Sequence, residues 1–211
     1  MNHSLIEIET ILDVEKYIDG LKVVIFDLDD TLYSEKEYVR SGYHNISSLF
    51  PEIANVESRL WKLFLDKVAV IDVFLKQEEV FTGENKEKCM RAYRFQEPDI
   101  HLYPGVWDML KRLKEHYYLG LITDGRPEGQ RSKIKALGLS EIFDCMIITD
   151  ELGGSKYRKP NARAYQIVAE RFGTDFRDMC YVGDNIKKDF VAPIKLGMRS
   201  IWFRNVDGLY I

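Results

Sequence analysis

The stretch Val23-Val24-Ile25-Phe26-Asp27-Leu28-Asp29-Asp30-Thr31 joins an apolar run directly to a group of acidic residues. The apolar part is typical of a buried β-strand. Asp27 and Asp29 are two residues apart, so their side chains point the same way if the chain stays extended. Two convergent carboxylates repel each other unless a cation or a proton lies between them. The pair therefore indicates a Mg²⁺ site, a site of acid/base chemistry, or both, and an Asp-rich turn is the simpler alternative.

Three later motifs also place polar residues at the ends of apolar runs or in the loops beyond them. They are Thr123-Asp124-Gly125 after Leu119–Ile122, Lys159-Pro160 at the start of a helical stretch, and Gly183-Asp184-Asn185 after Met179–Val182, with Asp189 five residues beyond Asp184. In open α/β sheets, ligands bind beyond the carboxyl ends of the strands. The sequence therefore predicts a ligand site built from these motifs.

The second half of the chain alternates helical and strand-like patterns. We predict helices over 104–116, 128–137, 161–172 and 187–196, and strands ending near 123, 149, 182 and 203. Such alternation is typical of a doubly wound parallel α/β sheet.

Residues 33–100 show helical spacing throughout and no alternation with strands. One predicted helix there ends at Pro51, the next is capped by Asn55 and continues to Leu75, and a third covers 85–97. We therefore predict an α/β core of residues 1–32 and 101–211, with residues 33–100 inserted as an all-helical cap. A short helix ending near Gly20 precedes the first predicted strand.

The composition argues against some classes of binding partner and favours one cellular compartment. The formal net charge of −4 argues against a nucleic-acid partner. No apolar run approaches the ~20 residues of a membrane span, and no signal peptide is evident. The three cysteines have neither a disulfide pattern nor zinc-ligand spacing, which favours a cytoplasmic protein. We expect a monomer or a homodimer.

The four motifs, in this order, resemble those of the haloacid dehalogenase-like hydrolase superfamily, and the resemblance covers about residues 21–203. It implies a Rossmann-like core and an aspartyl-phosphate intermediate. Asp27 matches the nucleophile, and Asp29 matches the acid/base that protonates the leaving oxygen and then activates water. The family's Mg²⁺ ligands match the side chains of Asp27 and Asp184 and the backbone carbonyl of Asp29, with Asp189 as a supporting carboxylate.

The resemblance also implies a phosphate-binding set. Thr123 would hydrogen-bond a phosphate oxygen, and the backbone N–H groups of Asp124 and Gly125 would add donors. Lys159 would place its ammonium against both phosphate and nucleophile. We prefer it to Lys156 in the same loop because Pro160 follows it, although Ala162 stands where the commonest form of the motif repeats a proline.

Asp29 also distinguishes reactions within the superfamily, because the dehalogenating members lack a carboxylate at this position. The resemblance therefore implies a phosphatase with a helical cap that acts on a small phosphorylated metabolite, such as a nucleotide or sugar phosphate. A phosphomutase is the nearest alternative. A receiver-type signalling module is a further one, although receivers carry no helical insert after the first strand. The nearly balanced charge of residues 33–100 favours a small substrate, which we expect this insert to select.

Overall fold

The computed structural model describes residues 5–209. Its contacts divide this part of the chain into two compact units. One contains residues 5–35 and 101–209, and the other contains residues 36–100. Within the described residues, no helix combines the length and the apolar character that a bilayer crossing requires.

A six-stranded sheet forms the centre of the first unit, and all of its neighbouring strands are parallel. The strands are β1 (Ile6–Ile8), β2 (Val23–Phe26), β3 (Tyr118–Thr123), β4 (Cys145–Ile148), β5 (Met179–Gly183) and β6 (Arg199–Phe203). Their spatial order is β1-β6-β5-β2-β3-β4. The predicted doubly wound parallel sheet is therefore confirmed.

Strand β2 occupies the point at which the order of the sheet reverses. The chain first adds β3 and β4 on one side of it, and then β5, with β6 beyond, on the other. All four residues of β2 are fully buried, as expected for a central strand with β-branched side chains and both faces covered. The loops after β2, β3 and β5 therefore leave the sheet side by side, in the position where such sheets bind ligands.

Four helices belong to this unit: α5 (Val106–Lys114), α6 (Pro127–Ala136), α7 (Arg163–Phe172) and α8 (Val191–Leu196), numbered after the four helices of the insert described next. Tyr165 and Val168 of α7 pack with Tyr181 of β5 and Phe190 in one buried apolar cluster. The rings of Tyr165 and Tyr181 meet edge to face, 5.2 Å apart. This packing fixes the segment that precedes α8, which carries part of the candidate site.

The helical segment contains α1 (Glu35–Ser47), α2 (Val56–Leu65), α3 (Val70–Gln77) and α4 (Gly83–Arg94). Its apolar cluster includes Tyr43, Ile46, Leu60, Phe74 and Cys89. The helix predicted from Asn55 to Leu75 is wrong as a single element, because it stops at Leu65. Lys67 there adopts a left-handed backbone conformation with φ of 55°, which a continuous helix does not permit.

Three further elements differ from the sequence prediction. Strand β1 was not predicted, because three residues are too few to show an alternating pattern. The last helix, predicted from 187, begins at Val191. Asn185 explains the delay, since its carbonyl accepts from the backbone N–H groups of Lys188 and Asp189 in a separate turn. The helix predicted before Gly20 is a 3₁₀ helix over Ile11–Tyr17.

Candidate active site

The loops after three adjacent strands carry the acidic residues of the site. Asp27 directly follows β2, Asp124 follows β3, and Asp184 follows β5. The backbone N–H of Asp27 donates a 2.9 Å hydrogen bond to the carbonyl of Val182. The ladder between β2 and β5 therefore continues beyond β2 and fixes the backbone of Asp27 beside the end of β5.

Lys159 supplies a buried positive charge beside Asp27. Its Nζ lies 2.8 Å from Asp27 Oδ1 and 2.9 Å from Asp189 Oδ1, and it also donates to the hydroxyl of Tyr181. Burial favours the neutral amine, but Asp189 and Asp27 outweigh it and hold the pKa of Lys159 well above its ordinary value. Lys159 is therefore charged throughout the neutral range, whereas the alternative Lys156 is exposed.

Asp27, Asp184 and Asp189 form a buried group in which one oxygen of each lies within 4.8 Å of the others. Burial, strengthened by the neighbouring acids, raises the pKa of Asp184 to about 8. Burial also raises the pKa of Asp27 to about 7, although Lys159 opposes this shift. When all three carboxylates are ionised, one ammonium leaves negative charge unbalanced, and an all-oxygen donor set suits a hard cation. These residues therefore fit a divalent metal ion such as Mg²⁺.

Asp189 differs from the other two carboxylates because the protein backbone already holds one of its oxygens. Its Oδ2 accepts from the backbone N–H of Asn185 at 2.9 Å, while its Oδ1 faces Lys159. A Cβ added at Gly183 would lie only 2.5 Å from Asp189 Oδ2, so this close approach requires glycine. The arrangement suits a supporting residue that orients Lys159 and the loop containing Asp184.

The carboxylate of Asp29 lies against helix α6. Its Oδ1 is 2.7 Å from Lys133 Nζ and accepts from the hydroxyl of Tyr33, and its Oδ2 accepts from Gln130 at 2.9 Å. Burial alone would raise the pKa of this carboxyl. Lys133 and the hydrogen bonds outweigh burial, so the pKa of Asp29 lies below its ordinary value. Asp29 is therefore ionised at neutral pH and ready to accept a proton.

Thr123 is the last residue of β3, and Asp124 and Gly125 begin the turn after it. The hydroxyl oxygen of Thr123 is buried and accepts from Gln130 at 2.5 Å. Asp124 Oδ1 accepts from the backbone N–H of Lys159 at 3.1 Å, so the Asp124 side chain holds the loop that presents the lysine. Gly125 has φ of 134°, a conformation that glycine adopts readily.

A cavity of about 140 Å³ opens at these strand ends. The cavity is lined mostly by acidic residues, together with one asparagine and two cations. The lining residues are Asp27, Asp29, Glu35, Asp124, Asp184, Asn185, Arg158 and Lys188. Lys188 Nζ lies 3.2 Å from Asp124 Oδ2, and about a third of its side chain is exposed. Arg158 forms a two-pronged ion pair with Asp150. Lys188 is therefore the better placed of the two cations to meet an anionic ligand.

Asp30 anchors the loop that carries Asp27 and Asp29. Its Oδ1 accepts from the backbone N–H of Glu35 at 2.9 Å, and its Oδ2 accepts from that of Leu209 at 2.7 Å. Its carbonyl also accepts from the Asn205 side chain. Asp30 is fully buried and has φ of 51°, so these bonds hold a backbone conformation that aspartate adopts only with support.

A sequence profile that describes haloacid dehalogenase-like hydrolases matches residues 24–203, which is most of the chain. This chain is a haloacid dehalogenase-like hydrolase. The resemblance stated from the motifs is thereby confirmed, and with it the assignment to a family of enzymes.

Curated relatives of this haloacid dehalogenase-like hydrolase include two archaeal enzymes. The glyceraldehyde 3-phosphate phosphatase of Pyrococcus abyssi is 34% identical over 197 residues, which cover 87% of this chain and 82% of the relative. The glyceraldehyde 3-phosphate phosphatase of Methanocaldococcus jannaschii is 25% identical over 90% of this chain and 87% of its own. Among solved structures, a haloacid dehalogenase superfamily hydrolase from Geobacter sulfurreducens has a TM-score of 0.64 at 20% identity, with 85% of each chain covered, which supports the fold.

Sequence reasoning about this haloacid dehalogenase-like hydrolase missed the residues that surround the predicted ones. Gln130 and Lys133 come from the middle of α6, and Lys188 comes from the turn before α8. A lysine on a helix is ordinarily a solvated surface residue, so nothing in the pattern marked Lys133 as buried. The spacing of three between Gln130 and Lys133 does place them on one helical face, which was the only available signal.

Proposed function

We propose that this chain is a Mg²⁺-dependent phosphatase that hydrolyses a small phosphomonoester through an aspartyl-phosphate on Asp27. The observation that supports this most directly is the buried pair of Asp27 and Lys159 beside Asp184, with both aspartates lining a small polar cavity. A carboxylate with a fixed ammonium and a cation-binding neighbour is equipped to attack phosphorus while charge on the phosphoryl oxygens is neutralised.

In the first step, an oxygen of Asp27 attacks phosphorus, and the bond from phosphorus to the leaving oxygen breaks. Asp29 first takes up a proton from solvent, since it is ionised at neutral pH, and then gives this proton to the leaving oxygen. Lys159 stays charged and contacts both the nucleophile and a phosphoryl oxygen. Lys188 lines the same cavity, and its ammonium adds a second positive charge there.

In the second step, Asp29 takes a proton from water while the water oxygen attacks phosphorus. The bond from phosphorus to Asp27 then breaks, and inorganic phosphate leaves. The lowered pKa of Asp29 suits this step, because the carboxylate is already ionised. Lys133, Tyr33 and Gln130 hold it in place meanwhile.

The metal ion would be held by the carboxylates of Asp27 and Asp184 and by the backbone carbonyl of Asp29. When bound, it would supply charge neutralisation at the phosphoryl oxygens. Asp189 would support it indirectly, through Lys159 and the Asn185 backbone. Thr123 and the backbone N–H groups of Asp124 and Gly125 would bind the remaining phosphoryl oxygens.

The substrate is proposed to be a small phosphorylated metabolite, since the cavity is small and the curated relatives are named glyceraldehyde 3-phosphate phosphatases. Every side chain assigned to the chemistry lies in the α/β unit. Assigning the choice of substrate to the helical segment, predicted over residues 33–100, remains a proposal.

A release assay for inorganic phosphate tests this function. The purified protein should hydrolyse members of a panel that includes glyceraldehyde 3-phosphate, sugar phosphates and nucleotides, and it should do so only with Mg²⁺ present. Activity that persists in excess chelator would contradict the metal assignment. Formation of a phosphorylated isomer without free phosphate would instead identify a phosphomutase.

A further inference from the structure

Helix α6 presents two buried polar side chains to the site. Gln130 and Lys133 are 3% and 4% exposed, and they lie one helical turn apart on the same face. Both reach the same group, because Lys133 Nζ lies 2.7 Å from Asp29 Oδ1 and Gln130 Nε2 lies 2.9 Å from Asp29 Oδ2. Two side chains of one helix therefore each hold one of the two oxygens of Asp29.

Stability does not explain why a lysine occupies this position. Burying an ammonium and a carboxylate removes both from water, and replacing such a pair with apolar side chains is often neutral or stabilising. Well-packed apolar residues at both 29 and 133 would serve the fold equally well. The cost of burying Lys133 is understandable if the position of the Asp29 carboxylate matters to the reaction.

Gln130 connects Asp29 to the phosphate-binding turn. Its Nε2 donates to Asp29 Oδ2 and also, at 2.5 Å, to the hydroxyl oxygen of Thr123. An amide nitrogen carries two hydrogens, so it can serve both acceptors. Because Thr123 accepts this bond with a lone pair, its own hydrogen stays available to donate to a phosphoryl oxygen. One side chain therefore sets the direction of the Thr123 hydroxyl and the place of the Asp29 carboxylate together.

We propose that Lys133 and Gln130 are positioning residues that fix the Asp29 carboxylate relative to the phosphoryl group. This inference rests on the proposed phosphatase function. Losing Lys133 lets the carboxylate turn away, which slows the steps that need proton transfer but leaves phosphate binding largely intact. The signature with an aryl phosphate is a lower kcat, a KM that falls with it so that kcat/KM changes little, and a larger steady-state fraction of phosphoenzyme, because hydrolysis of the aspartyl-phosphate depends on Asp29.

The experiment compares Lys133→Met with Lys133→Arg and with Lys135→Met, an exposed lysine on the same helix. An aryl phosphate is the substrate, since its leaving group needs no proton. We expect Lys133→Met to lose about 10- to 100-fold in kcat, less than the roughly 10²- to 10⁴-fold that general acid/base catalysis contributes, with kcat/KM changed less than about threefold because KM falls with kcat. Acid-quench mass spectrometry should show accumulated phosphoenzyme. Lys133→Arg should recover part of the rate, and Lys135→Met should match the wild type.

The outcomes separate the two proposals. A wild-type protein that hydrolyses no phosphomonoester contradicts the proposed function itself. An active wild type with a folded Lys133→Met variant of unchanged kcat and phosphoenzyme level overturns the positioning role alone. If Lys133→Met does not fold, Gln130→Met provides the same readout. A Gln130→Met variant that raises KM without raising the phosphoenzyme fraction overturns the proposal, because only Thr123 is then affected.

Discussion

Asp27 and Lys159 form an ion pair of 2.8 Å in which both side chains are almost completely buried. Removing one charge of a buried pair is ordinarily destabilising, because the other charge is left uncompensated. Here Lys159 also faces Asp189 at 2.9 Å, so the ammonium keeps a carboxylate partner if Asp27 is neutralised. The proposed nucleophile, Asp27, can therefore be probed without disrupting the fold.

Asp27→Asn should abolish turnover while the protein stays folded. An amide cannot form the acyl-phosphate, and no other side chain that the structure describes is placed to replace it. The measurements are phosphate release and the melting temperature of the same preparation. The Asp184→Asn variant serves as the comparison, because it weakens metal binding but keeps the nucleophile. Turnover by Asp27→Asn within tenfold of the wild type, an order-of-magnitude margin, would contradict covalent catalysis at this residue.

Asp29→Asn should leave the first step intact for an aryl phosphate and stall the second. Asparagine cannot take a proton from water, so steady-state turnover should fall by about 10²- to 10⁴-fold and the phosphoenzyme should accumulate. Intact-protein mass spectrometry after substrate addition measures this fraction. With an alkyl phosphate, whose leaving oxygen needs a proton, the same variant should show little phosphoenzyme. Equal accumulation with both substrates would argue against the acid role.

A divalent cation should raise the melting temperature, and it should do so more strongly at higher pH. In the metal-free protein, burial raises the pKa of Asp27 to about 7 and of Asp184 to about 8. The unfolded chain releases these protons near pH ~4. Between those values the folded protein holds more protons than the unfolded chain, so these groups lower the free energy of unfolding as the pH rises.

Mg²⁺ competes with those protons and should offset the loss. Melting curves at about pH 6 and about pH 8, with Mg²⁺ or with chelator, should show the larger shift at the higher pH. Asp184→Asn should remove most of the shift. An equal shift at both pH values would mean that the cation binds elsewhere or that both carboxyls are ionised in the metal-free protein.

Gly183→Ala should disturb the site by displacing the Asp189 carboxylate. The added Cβ would lie 2.5 Å from Asp189 Oδ2, so this carboxylate must move and its bond to the Asn185 backbone must weaken. We expect a loss of about 1–3 kcal/mol in the free energy of unfolding, the usual cost of overpacking, together with lower activity. Gly83→Ala is the control, because a Cβ there meets nothing within 4 Å.

The sequence was sufficient for the parts of the site that follow strands. A buried run such as residues 23–26 shows where a central strand ends, and parallel strands bring their carboxyl ends to one edge of the sheet. Asp27, Asp124 and Asp184 could therefore be placed near one another before the fold was known. Lys159 needed the family motif as well, since one lysine in a loop with Lys156 and Arg158 carries no signal of its own.

The site residues that lie on helices, or in the turns before them, could not be predicted from the sequence. Whether Lys133 points to solvent or to the site depends on the rotation of α6 about its axis, which is set by packing across the whole unit. Lys188 depends in the same way on the turn that Asn185 stabilises before α8. The break between α2 and α3 was also missed, because apolar residues at helical spacing continue across it without a proline or glycine.

The hydrogen bonds of Asp30 indicate at which stage of folding the protein becomes able to bind a cation. Its carboxylate joins a backbone N–H that is 179 positions away in sequence, and Asp29 joins Lys133 across 104 positions. Contacts of such separation form late, because closing long loops costs entropy before the contact is made. The sheet needs contacts of the same kind, since β2 pairs with β5 between Val23 and Met179. We therefore expect collapsed states without the complete sheet to lack cation affinity. The appearance of Mg²⁺ binding in a refolding experiment would then mark the completion of the native structure.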